Sequence, residues 1–495
     1  MTELPLIARA HQHIDNQAFF GTPAGCTYGD LLQQSERLAC LLLNQTPDLR
    51  LARVAILIPS ARHYTIALWA TWRAGGIALP LCCAATVPEW EYTLTDSAAS
   101  VILTTTEFQA AITPLAGKLG IPVVLAEHTH TSAQASLPTI DTNRAAMILY
   151  TSGTTSRPKG VVSTHAAIQA QIESLVAAWE WSPGDRIPLF LPLHHIHGII
   201  NVLCCALWSG AAVESFPKFD AETVLARVQQ RAYSLFMAVP TIYVRLIEFL
   251  EASDPAVRHT TIAGFQSMRL MVSGSAALPA SIHERWHQLT GHHLLERYGM
   301  TEIGMALSNP LHGERRPGCV GQPLPGVEIR LIGDDGHEVA ETLLPGEIQV
   351  RGPTVFREYW NRPDATRDSF IDGWFRTGDI AVPDRGSYRI LGRASVDIIK
   401  SGGYKLSALE IETALLDHPA IRECAVVGLP DAEWGELTAA AVTLHAAQSL
   451  DLDTLRHWCR DRLSFYRIPR RLLVVDSLPR NAMGKVNKPE VRKLF

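Results

Sequence analysis

The stretch "AAMILYTSGTTSRPKG" (residues 145–160) joins a short apolar run to a loop rich in glycine, serine and threonine. The apolar run predicts a buried β-strand, and the polar cluster in front of Pro158 predicts a loop that leaves the end of that strand. Such a loop can wrap an anion, because Gly153 and Gly160 allow close approach of backbone N–H groups while Lys159 adds positive charge. The order Lys159-Gly160 does not fit the P-loop of the common nucleotide hydrolases. From these residues alone, a phosphate-binding loop and a solvated surface turn both stay open.

Composition places the chain among ordinary globular proteins. It has 495 residues, 47% hydrophobic and 19% charged, and this length favours two or more domains. The nine cysteines include no CxxC pair, which favours reduced, buried, intracellular thiols over a zinc site or a disulfide framework. No stretch reaches the roughly eighteen uninterrupted apolar residues of a membrane span, and the N-terminus matches no signal peptide. We therefore expect a cytoplasmic protein without a membrane partner.

Charge gives one local signal. The net charge of -5 provides no global attraction to nucleic acid, yet residues 456–495 carry eleven Lys and Arg against three Asp and Glu. This basic segment is either a solvated face or a landing surface for a polyanionic small molecule, with Arg467, Arg470 and Arg471 as candidate contacts.

Hydrophobic patterns divide the chain into parts. Up to about residue 330, helical patterns such as "YGDLLQQSERLACLLLNQ" alternate with β-branched runs such as "RVAILIP" and "SVILTTT", as in βα units with parallel sheets. From about Val327 to Leu391, short strands with Gly, Pro and Asp turns predict a β-rich subdomain. We predict an α/β fold: a large N-terminal domain of layered βα subdomains plus the β-rich subdomain (residues 1–391), a hinge (392–397) and a small mobile α+β C-terminal domain (398–495).

Seven segments, in this order over nearly the whole chain, carry a family resemblance. They are the opening loop, "LPLHHIHG" (191–198), "MVSGSAALP" (271–279), "LERYGMTE" (295–302), "WFRTGD" (374–379), "GRASVDIIKSGGYKLSALEIE" (392–412) and "LPRNAMGKVNK" (478–488). Together they resemble the acyl-adenylate-forming superfamily, which includes acyl-CoA synthetases and firefly luciferase. The resemblance implies two steps: AMP is attached to a carboxylate with loss of pyrophosphate, and a thiol then displaces AMP. It also favours the phosphate-binding interpretation of the opening loop.

The resemblance assigns residues to ATP. The implied nucleotide-binding set is Thr151, Ser152, Gly153, Thr154, Thr155, Lys159, Gly274, Ser275, Ala276, Glu296, Arg297, Tyr298, Gly299, Met300, Thr301, Asp379, Arg393 and Lys485. Asp379 would accept hydrogen bonds from the ribose hydroxyls, and Tyr298 would stack near adenine. Lys485, Glu302 and Thr151 are the implied catalytic residues. Glu302 and Thr151 would also hold Mg²⁺, a hard cation that prefers oxygen ligands.

The second step implies a coenzyme A site. Ser401, Gly402, Gly403, Tyr404 and Lys405 match the segment that swings in to form the pantetheine tunnel. This segment and Lys485 lie on one small domain and are both needed near the same acyl carbon, so we predict two arrangements of that domain about a hinge at residues 395–397.

Two other patterns favour structural or pocket roles. Ser407 and Glu410 have the spacing of a helix capping box, which predicts a structural role. His194, His195 and His197 match no helical metal pair, and the resemblance places this segment beside the acyl pocket.

The choice of acid rests on a narrower resemblance. "VPTIYVRL" and "LLERYGMTEIGMALSNPLHGERRPGCVGQPLPGV" resemble malonyl-CoA synthetases, which act on malonate and methylmalonate. The second carboxylate stays charged during adenylation, so its pocket must supply a cation. Arg245 and Arg297 are the candidates, Arg245 slightly ahead, with His197 and Ser275 as further pocket residues.

Two alternatives remain beside this assignment. One is an acyl-CoA synthetase for a short monocarboxylic or aromatic acid, and the other is a non-catalytic nucleotide-binding sensor. Mitochondrial malonyl-CoA synthetases carry a targeting extension, whereas this chain begins close to the catalytic domain, so a bacterial-type cytoplasmic enzyme is expected.

Overall fold

The computed structural model describes residues 3–21, 25–127, 136–151, 157–339, 344–402, 404–480 and 486–495. Its helices are α1 (Pro5–His11), α2 (Tyr28–Leu43), α3 (Ala61–Arg73), α4 (Val87–Asp96), α5 (Thr106–Leu119), α6 (His165–Ala178), α7 (Cys205–Ser209), α8 (Ala221–Gln229), α9 (Pro240–Ala252), α10 (Pro255–Gln266), α11 (Ala280–Thr290), α12 (Pro363–Asp368), α13 (Ala408–Leu416), α14 (Leu452–Cys459) and α15 (Lys488–Arg492), with a π-helix over His197–Cys204.

The strands are named in chain order in the same way. They are β1 (Gln17–Phe20), β2 (Cys26–Thr27), β3 (Arg53–Leu57), β4 (Ile77–Pro80), β5 (Val101–Thr104), β6 (Val123–Leu125), β7 (Ala145–Thr151), β8 (Lys159–Thr164), β9 (Arg186–Leu189), β10 (Ala212–Ser215), β11 (Leu235–Ala238), β12 (Leu270–Ser273), β13 (Leu295–Met300), β14 (Gly304–Ser308), β15 (Gln322–Pro323), β16 (Glu328–Ile332), β17 (Gly346–Arg351), β18 (Glu358–Tyr359), β19 (Phe370–Ile371), β20 (Trp374–Asp384), β21 (Ser387–Arg393), β22 (Ile398–Ser401), β23 (Tyr404–Ser407), β24 (Ile421–Asp431), β25 (Gly435–Leu444) and β26 (Arg471–Val474).

Helix α2 shows how local sequence sets these elements. Thr27 precedes it and forms a reciprocal capping box with Asp30, which satisfies free N–H groups of the first turn. Leu31 and Leu38 lie on its apolar face and are fully buried. The helix ends where Asn44 adopts the left-handed conformation, with φ of 40°. The predicted helix over this stretch is confirmed.

The opening stretch belongs to a seven-stranded sheet in the order β18-β8-β7-β4-β3-β5-β6. Strands β3 to β7 run parallel, and the predicted strand "AAMILY" is β7 near the middle of the sheet. Strand β8 returns antiparallel, with Thr151 opposite Lys159. Thr151 and Lys159 are therefore held side by side where the two adjacent strands meet.

Two further sheets complete the βα part of the fold. One has the order β2-β1-β10-β9, and the other has the order β11-β12-β13-β14-β15, in which β11 to β13 are parallel. Strand β13 presents "LERYGM" between β12 and β14. The carboxyl end of β12 leads directly into Gly274 and Ser275, so these residues and β13 line the same edge.

The later strands form two separate sheets. Strands β16, β17, β20, β19 and β21 make an antiparallel sheet, as predicted for the β-rich subdomain. Strands β22 to β26, with α13 to α15, form an α+β unit whose apolar core includes Ile399, Ile411 and Val442. The α/β fold class, with a large N-terminal and a small C-terminal part, is thus confirmed. The hinge at 392–397 and the mobility of the small domain stay predictions.

No described helix combines the length and apolarity that a bilayer crossing requires.

Candidate active site

Lys159, Tyr359 and Glu302 meet beside the opening loop. The Lys159 ammonium lies 5.1 Å from the centre of the Tyr359 ring, in a cation–π contact. The Tyr359 hydroxyl donates to Glu302 Oε1 at 3.0 Å. Strand β18, which carries Tyr359, pairs with β8, which begins at Lys159. Lys159 and Glu302, the predicted metal-binding residue, therefore both contact the side chain of Tyr359.

Glu302 is a buried carboxyl group that accepts a hydrogen bond from Tyr359. Its residue surface is 6% exposed, and burial raises the pKa of its carboxyl above the ordinary value. The hydrogen bond from Tyr359 and the charge of Arg393 oppose that rise. Its two oxygens offer more acceptor sites than the tyrosine hydroxyl uses, so the carboxylate keeps capacity for a cation.

Tyr298, Asp379 and Arg393 form a second group. The Tyr298 hydroxyl donates to Asp379 Oδ2 at 2.5 Å, and Arg393 Nε donates to Asp379 Oδ1 at 3.1 Å. Asp379 and Arg393 are opposite each other in the β20–β21 ladder. Burial and the Asp379 carboxylate raise the pKa of the Tyr298 hydroxyl well above its ordinary value, so this hydroxyl keeps its proton. The carboxylate predicted for ribose is held in place from both sides.

Arg297, Gly274, Ser275 and His197 form a third group. Arg297 Nη2 lies 3.5 Å from Ser275 Oγ, and His197 Nδ1 lies 3.0 Å from the same oxygen. Ser275 adopts a left-handed backbone with φ of 70°, the kind of strain that accumulates at functional sites. A Cβ atom at Gly274 would lie 2.4 Å from Arg297 Cζ. The missing side chain at Gly274 is what lets the guanidinium lie against this backbone.

The electrostatics of this third group are unusual. Arg297 is 5% exposed, and burial lowers the pKa of its guanidinium to about 10. Its Nε atom is buried without a hydrogen-bond partner, and no ion pair joins Arg297 to an acidic side chain within the described ranges. Burial, reinforced by the charge of Arg297, lowers the pKa of His197 well below its ordinary value. The group is a buried cation next to a neutral imidazole, and a buried cation is stable only when an anion or several dipoles accompany it.

Other predicted residues lie outside these groups. Glu296 accepts a hydrogen bond from Gly318 N–H at 2.9 Å, and burial raises the pKa of its carboxyl to about 8. Because neighbouring residues of a strand point to opposite faces, its side chain lies across β13 from Arg297. Arg245 is exposed on α9, and within the described residues no hydrogen bond or ion pair joins it to His197 or Ser275. Arg297 is therefore buried beside Ser275, whereas Arg245 is exposed, and the arginine that holds the distal carboxylate stays a prediction.

The rest of the "RYGMTE" segment and its neighbours form the rim of the site. The register of β13 against β14 shifts between Tyr298 and Gly299, and a Cβ atom at Gly299 would lie 2.1 Å from the Gly304 carbonyl oxygen. Met300 and Thr301 are half-buried, and Ala276 is exposed beside Ser275. Ser152, Gly153, Thr154, Thr155, Gly403 and Lys485 lie outside the described residues, so their predicted roles stay predictions.

The predicted coenzyme A segment is the β22–β23 hairpin. Tyr404 stacks on Tyr466 with parallel rings 4.4 Å apart, and Lys405 forms an ion pair with Asp334 of the β-rich sheet. Ser401 is buried, and Gly402 packs against Trp434, whose ring lies 2.7 Å from where a Gly402 Cβ would be. The hairpin borders a cavity of about 460 Å³ between the two parts of the protein. No hydrogen bond among the described residues joins the hairpin to the Tyr298–Asp379 group.

The basic segment is partly neutralised by neighbours. Arg467 pairs with Glu410 at 3.2 Å, and Arg470 lies 3.8 Å from the centre of the Trp434 ring. Ser407 Oγ caps α13 by accepting from Glu410 N–H, as the predicted capping box requires. The Glu410 side chain does not complete that box, because it pairs with Arg389 and Arg467 instead.

The predicted hinge is held by a buried ion cluster. Asp397 Oδ2 accepts from Arg393 N–H at 2.9 Å, and Asp397 Oδ1 accepts from Lys488 Nζ at 2.5 Å. Lys488 also pairs with Glu412 at 2.7 Å. The two carboxylates raise the pKa of Lys488 although burial opposes its charge. A chain of polar contacts thus leads from Asp379 through Arg393 and Asp397 to Lys488, three residues beyond Lys485.

Two residues of the site were not found from the sequence. Tyr359 lies in "FREYWNRP". The aromatic residues ahead of Asn and Pro were the only feature of this segment that could have drawn attention to it. Asn201 is fully buried in the π-helix that begins at His197, and both of its amide atoms lack partners. Single π-helical turns are frequent at functional sites, but nothing in the apolar run "HGIINVLCC" predicts that geometry. No described group of three His, Cys, Asp or Glu is arranged to hold a metal ion.

The chain is similar to known proteins over nearly its whole length. Two family models match: AMP-binding enzyme over residues 6–360 and AMP-binding enzyme C-terminal domain over residues 410–485. The mitochondrial malonate–CoA ligase of Xenopus laevis is 43% identical, over 99% of this chain and 91% of its own length. ATP-bound MatB from Rhodopseudomonas palustris is 32% identical with a TM-score of 0.89, and the match covers 100% of this chain and 99% of that chain.

A third relative is a malonyl-CoA ligase in a ternary product complex with methylmalonyl-CoA and AMP. It is 36% identical with a TM-score of 0.70, and the match covers 97% of this chain and 100% of that chain. The resemblance carried by the seven sequence segments is confirmed, and the chain belongs to the AMP-binding family of acyl-adenylate-forming enzymes.

Proposed function

We propose that this protein is an ATP-dependent malonate–CoA ligase, and methylmalonate is the second acid to be tested. It converts the dicarboxylate, ATP and coenzyme A into the acyl-CoA thioester, AMP and pyrophosphate. The single observation that carries the choice of acid is the buried Arg297 guanidinium, which has no acidic partner among the described residues. The relatives that act on malonate support the same choice.

Arg297 suits the carboxylate of malonate that is not activated. A guanidinium can hold a carboxylate through two parallel hydrogen bonds, and Ser275 and His197 stand next to it with further polar atoms. A monocarboxylic acid would leave the buried cation unpaired, so the same pocket rejects acetate and propionate. This argues against the alternative of a ligase for short monocarboxylic acids.

The first step joins the other carboxylate to AMP. A carboxylate oxygen attacks the α-phosphorus of ATP, and the bond from that phosphorus to the bridging oxygen breaks as pyrophosphate leaves. Lys159 and the hydroxyl of Thr151 stabilise the departing pyrophosphate, and Lys485 bridges the carboxylate and the α-phosphate. Asp379 accepts hydrogen bonds from the ribose hydroxyls, which take the place of the Tyr298 hydroxyl. The chain's contribution is position and positive charge.

Glu302 fits a Mg²⁺ ion that arrives with ATP. It is a buried carboxylate with spare acceptor capacity, and oxygen is the ligand that Mg²⁺ prefers. When bound, the ion would neutralise phosphate charge. Tyr359 keeps the Glu302 carboxylate oriented, and Thr151 at the end of β7 would add a hydroxyl oxygen.

The second step needs the coenzyme A thiol at the acyl carbon. Sulfur attacks that carbon, the bond from the carbon to the AMP oxygen breaks, and the thiol proton is released. The 401–405 hairpin now lies against Asp334 and Tyr466, so we propose that rotation about 395–397 brings it to the site. The product complex, 36% identical, has a TM-score of only 0.70, whereas ATP-bound MatB, at 32%, reaches 0.89. A different domain arrangement in the product complex would explain its lower TM-score, which supports the proposed rotation.

Pyrophosphate exchange tests the function directly. Purified enzyme is incubated with ATP, labelled pyrophosphate and one acid at a time: malonate, methylmalonate, succinate, acetate, propionate or benzoate. Malonate or methylmalonate should drive exchange, while the monocarboxylic acids should be poorer by orders of magnitude. Equal exchange with acetate or benzoate would support the alternative ligase, and no exchange with any acid would support a non-catalytic nucleotide sensor.

The half-reactions can be separated. Lys485→Ala should abolish exchange while leaving thioester formation from supplied malonyl-AMP largely intact. Equal loss in both half-reactions would rule out the division of labour between Lys485 and the hairpin. A cytoplasmic location is part of the proposal, and fractionation of the source cells would test it.

A further inference from the structure

Glu410 connects the β-rich subdomain to the C-terminal unit. Its carboxylate pairs with Arg389 on β21 and, at 3.2 Å, with Arg467. These three side chains are between 23% and 34% exposed, so salt screens the pairs less than it screens fully exposed ones. The cap of α13 uses only the backbone N–H of Glu410, which donates to Ser407 Oγ. The placement of the carboxylate between two arginines therefore has a reason other than helix capping.

The Arg389–Glu410 pair crosses the predicted hinge at residues 395–397. Arg389 precedes the hinge and Glu410 follows it, whereas Arg467 belongs to the same unit as Glu410. Beside this pair, Ser407 Oγ donates to the Leu391 carbonyl oxygen across the same boundary. A rotation about 395–397 carries α13 away from β21. It therefore separates Arg389 from Glu410 and leaves the pair between Glu410 and Arg467 intact.

Helix α13 also contacts the segment that follows Lys485. Glu412, two residues after Glu410, pairs with Lys488 at 2.7 Å, and Lys488 pairs with Asp397 as well. Lys488 is the first residue of α15 and comes three residues after Lys485. One end of this connection is thus Arg389 on the β-rich sheet, and the other is the start of α15. The helix between them is held at both ends by ion pairs.

We propose that Glu410 is a positioning residue for the adenylation step, an inference that rests on the two-step function proposed above. Through Arg389 it holds the C-terminal unit in the arrangement that presents Lys485, and this ion pair opens when the unit rotates for thioester formation. A contact made in only one of two states shifts the population toward that state. The pair should therefore favour the first half-reaction and oppose the rotation that precedes the second.

The two half-reactions, measured separately, test this role. Arg389→Met and Glu410→Gln should each lower malonate-dependent pyrophosphate exchange about two- to fivefold, the effect expected of a partly exposed ion pair. Thioester formation from supplied malonyl-AMP and coenzyme A should be unchanged or faster. Arg389→Met should add little to the loss in a Glu410→Gln background, because both changes remove the same contact.

Two further variants serve as controls. Arg351→Met removes an arginine whose partner, Glu328, lies in the same β-rich sheet, so that pair does not cross the hinge. It should match wild type in both half-reactions. Arg389→Lys keeps the charge and should retain most of the exchange activity. Unchanged exchange in Arg389→Met would overturn the proposal, and so would an equal loss in both half-reactions or additive losses in the double variant.

Limited proteolysis tests the ion pair without relying on activity. Trypsin cleaves after Arg393, at the start of the hinge, and mass spectrometry identifies the new fragment that begins at residue 394. Cleavage there should be faster in Arg389→Met and Glu410→Gln than in wild type or Arg351→Met, because local opening exposes the chain. Equal cleavage rates in all four proteins would overturn the proposal. Absence of exchange in wild type would instead refute the proposed function, so the two failures are distinguishable.

Discussion

Replacing Arg297 by methionine should lower the activity with malonate but leave the stability of the free enzyme unchanged or higher. Methionine keeps much of the length of the side chain but removes the charge and the donors. In the free enzyme the guanidinium is buried without an acidic partner among the described residues, so its removal relieves a cost of folding. With substrate bound, the same change removes the proposed partner of the distal carboxylate.

The magnitude follows from the burial. The pKa of Arg297 falls from 12.5 to about 10, which corresponds to roughly 3 kcal/mol at about 1.4 kcal/mol for each tenfold change. Breaking a buried charged pair costs roughly 3 to 5 kcal/mol. We therefore expect kcat/KM for malonate to fall by a factor of at least about 100, with the KM for ATP little changed. The unfolding temperature of the free enzyme should stay the same or rise.

The assay is malonate-dependent pyrophosphate exchange, run beside thermal unfolding with and without malonate. Arg245→Met is the matched control, because Arg245 is an arginine of the same predicted pocket that the structure leaves exposed on α9. It should retain near-normal activity and malonate selectivity. If Arg297→Met keeps its preference for malonate over acetate, the distal carboxylate is held elsewhere. If Arg245→Met loses that preference instead, the burial argument is wrong.

Four further changes probe the other groups. Asp379→Asn should raise the KM for ATP at least tenfold while sparing the fold, as measured by exchange at saturating malonate, because a neutral amide accepts ribose hydrogen bonds less strongly than a carboxylate. Glu302→Gln should raise the Mg²⁺ concentration needed for half-maximal exchange, with Tyr359→Phe shifting it less; an unchanged Mg²⁺ curve would remove Glu302 from that role. Lys488→Met should destabilise the C-terminal unit by about 3–5 kcal/mol, because it leaves Asp397 and Glu412 buried together, whereas Lys493→Met, at an exposed position, should be close to neutral in urea unfolding. Replacing both Arg470 and Arg471 with neutral residues should raise the KM for coenzyme A, and the difference from wild type should shrink as the salt concentration rises. If the KM changes neither with the substitutions nor with salt, the basic segment is a solvated face.

Local sequence predicted those parts of the fold that local physics controls. Strand β7 and the change of texture near Val327 were readable because apolar runs, glycine and proline set strand and turn preferences over a few residues. The family segments then named Glu302, Asp379 and Arg393, and the last two do meet in the structure. Their contact partners could not be read in the same way.

The relations that could not be read from the sequence share a physical cause. Arg245 and Arg297 look equivalent as letters, and only the packing of α9 and β13 exposes one and buries the other. Glu410 has the spacing of a capping box, yet its carboxylate finds two arginines that are distant in sequence. Tyr359 reaches Glu302 because β18 adds to the edge of the seven-stranded sheet. Each of these outcomes depends on long-range pairing, which no short window of sequence contains.

The absence of a side chain at Gly274 matters for any attempt to change the acid specificity of this enzyme. Its missing Cβ and the Arg297 guanidinium occupy adjoining space, with 2.4 Å between Arg297 Cζ and the position that a Cβ would take. The side chains at positions 274 and 297 must therefore be chosen together. A library that trims Arg297 alone leaves an empty polar slot above the glycine, and one that enlarges residue 274 alone drives the guanidinium out of place. Engineers seeking a monocarboxylate ligase on this scaffold would need to diversify both positions in the same clone.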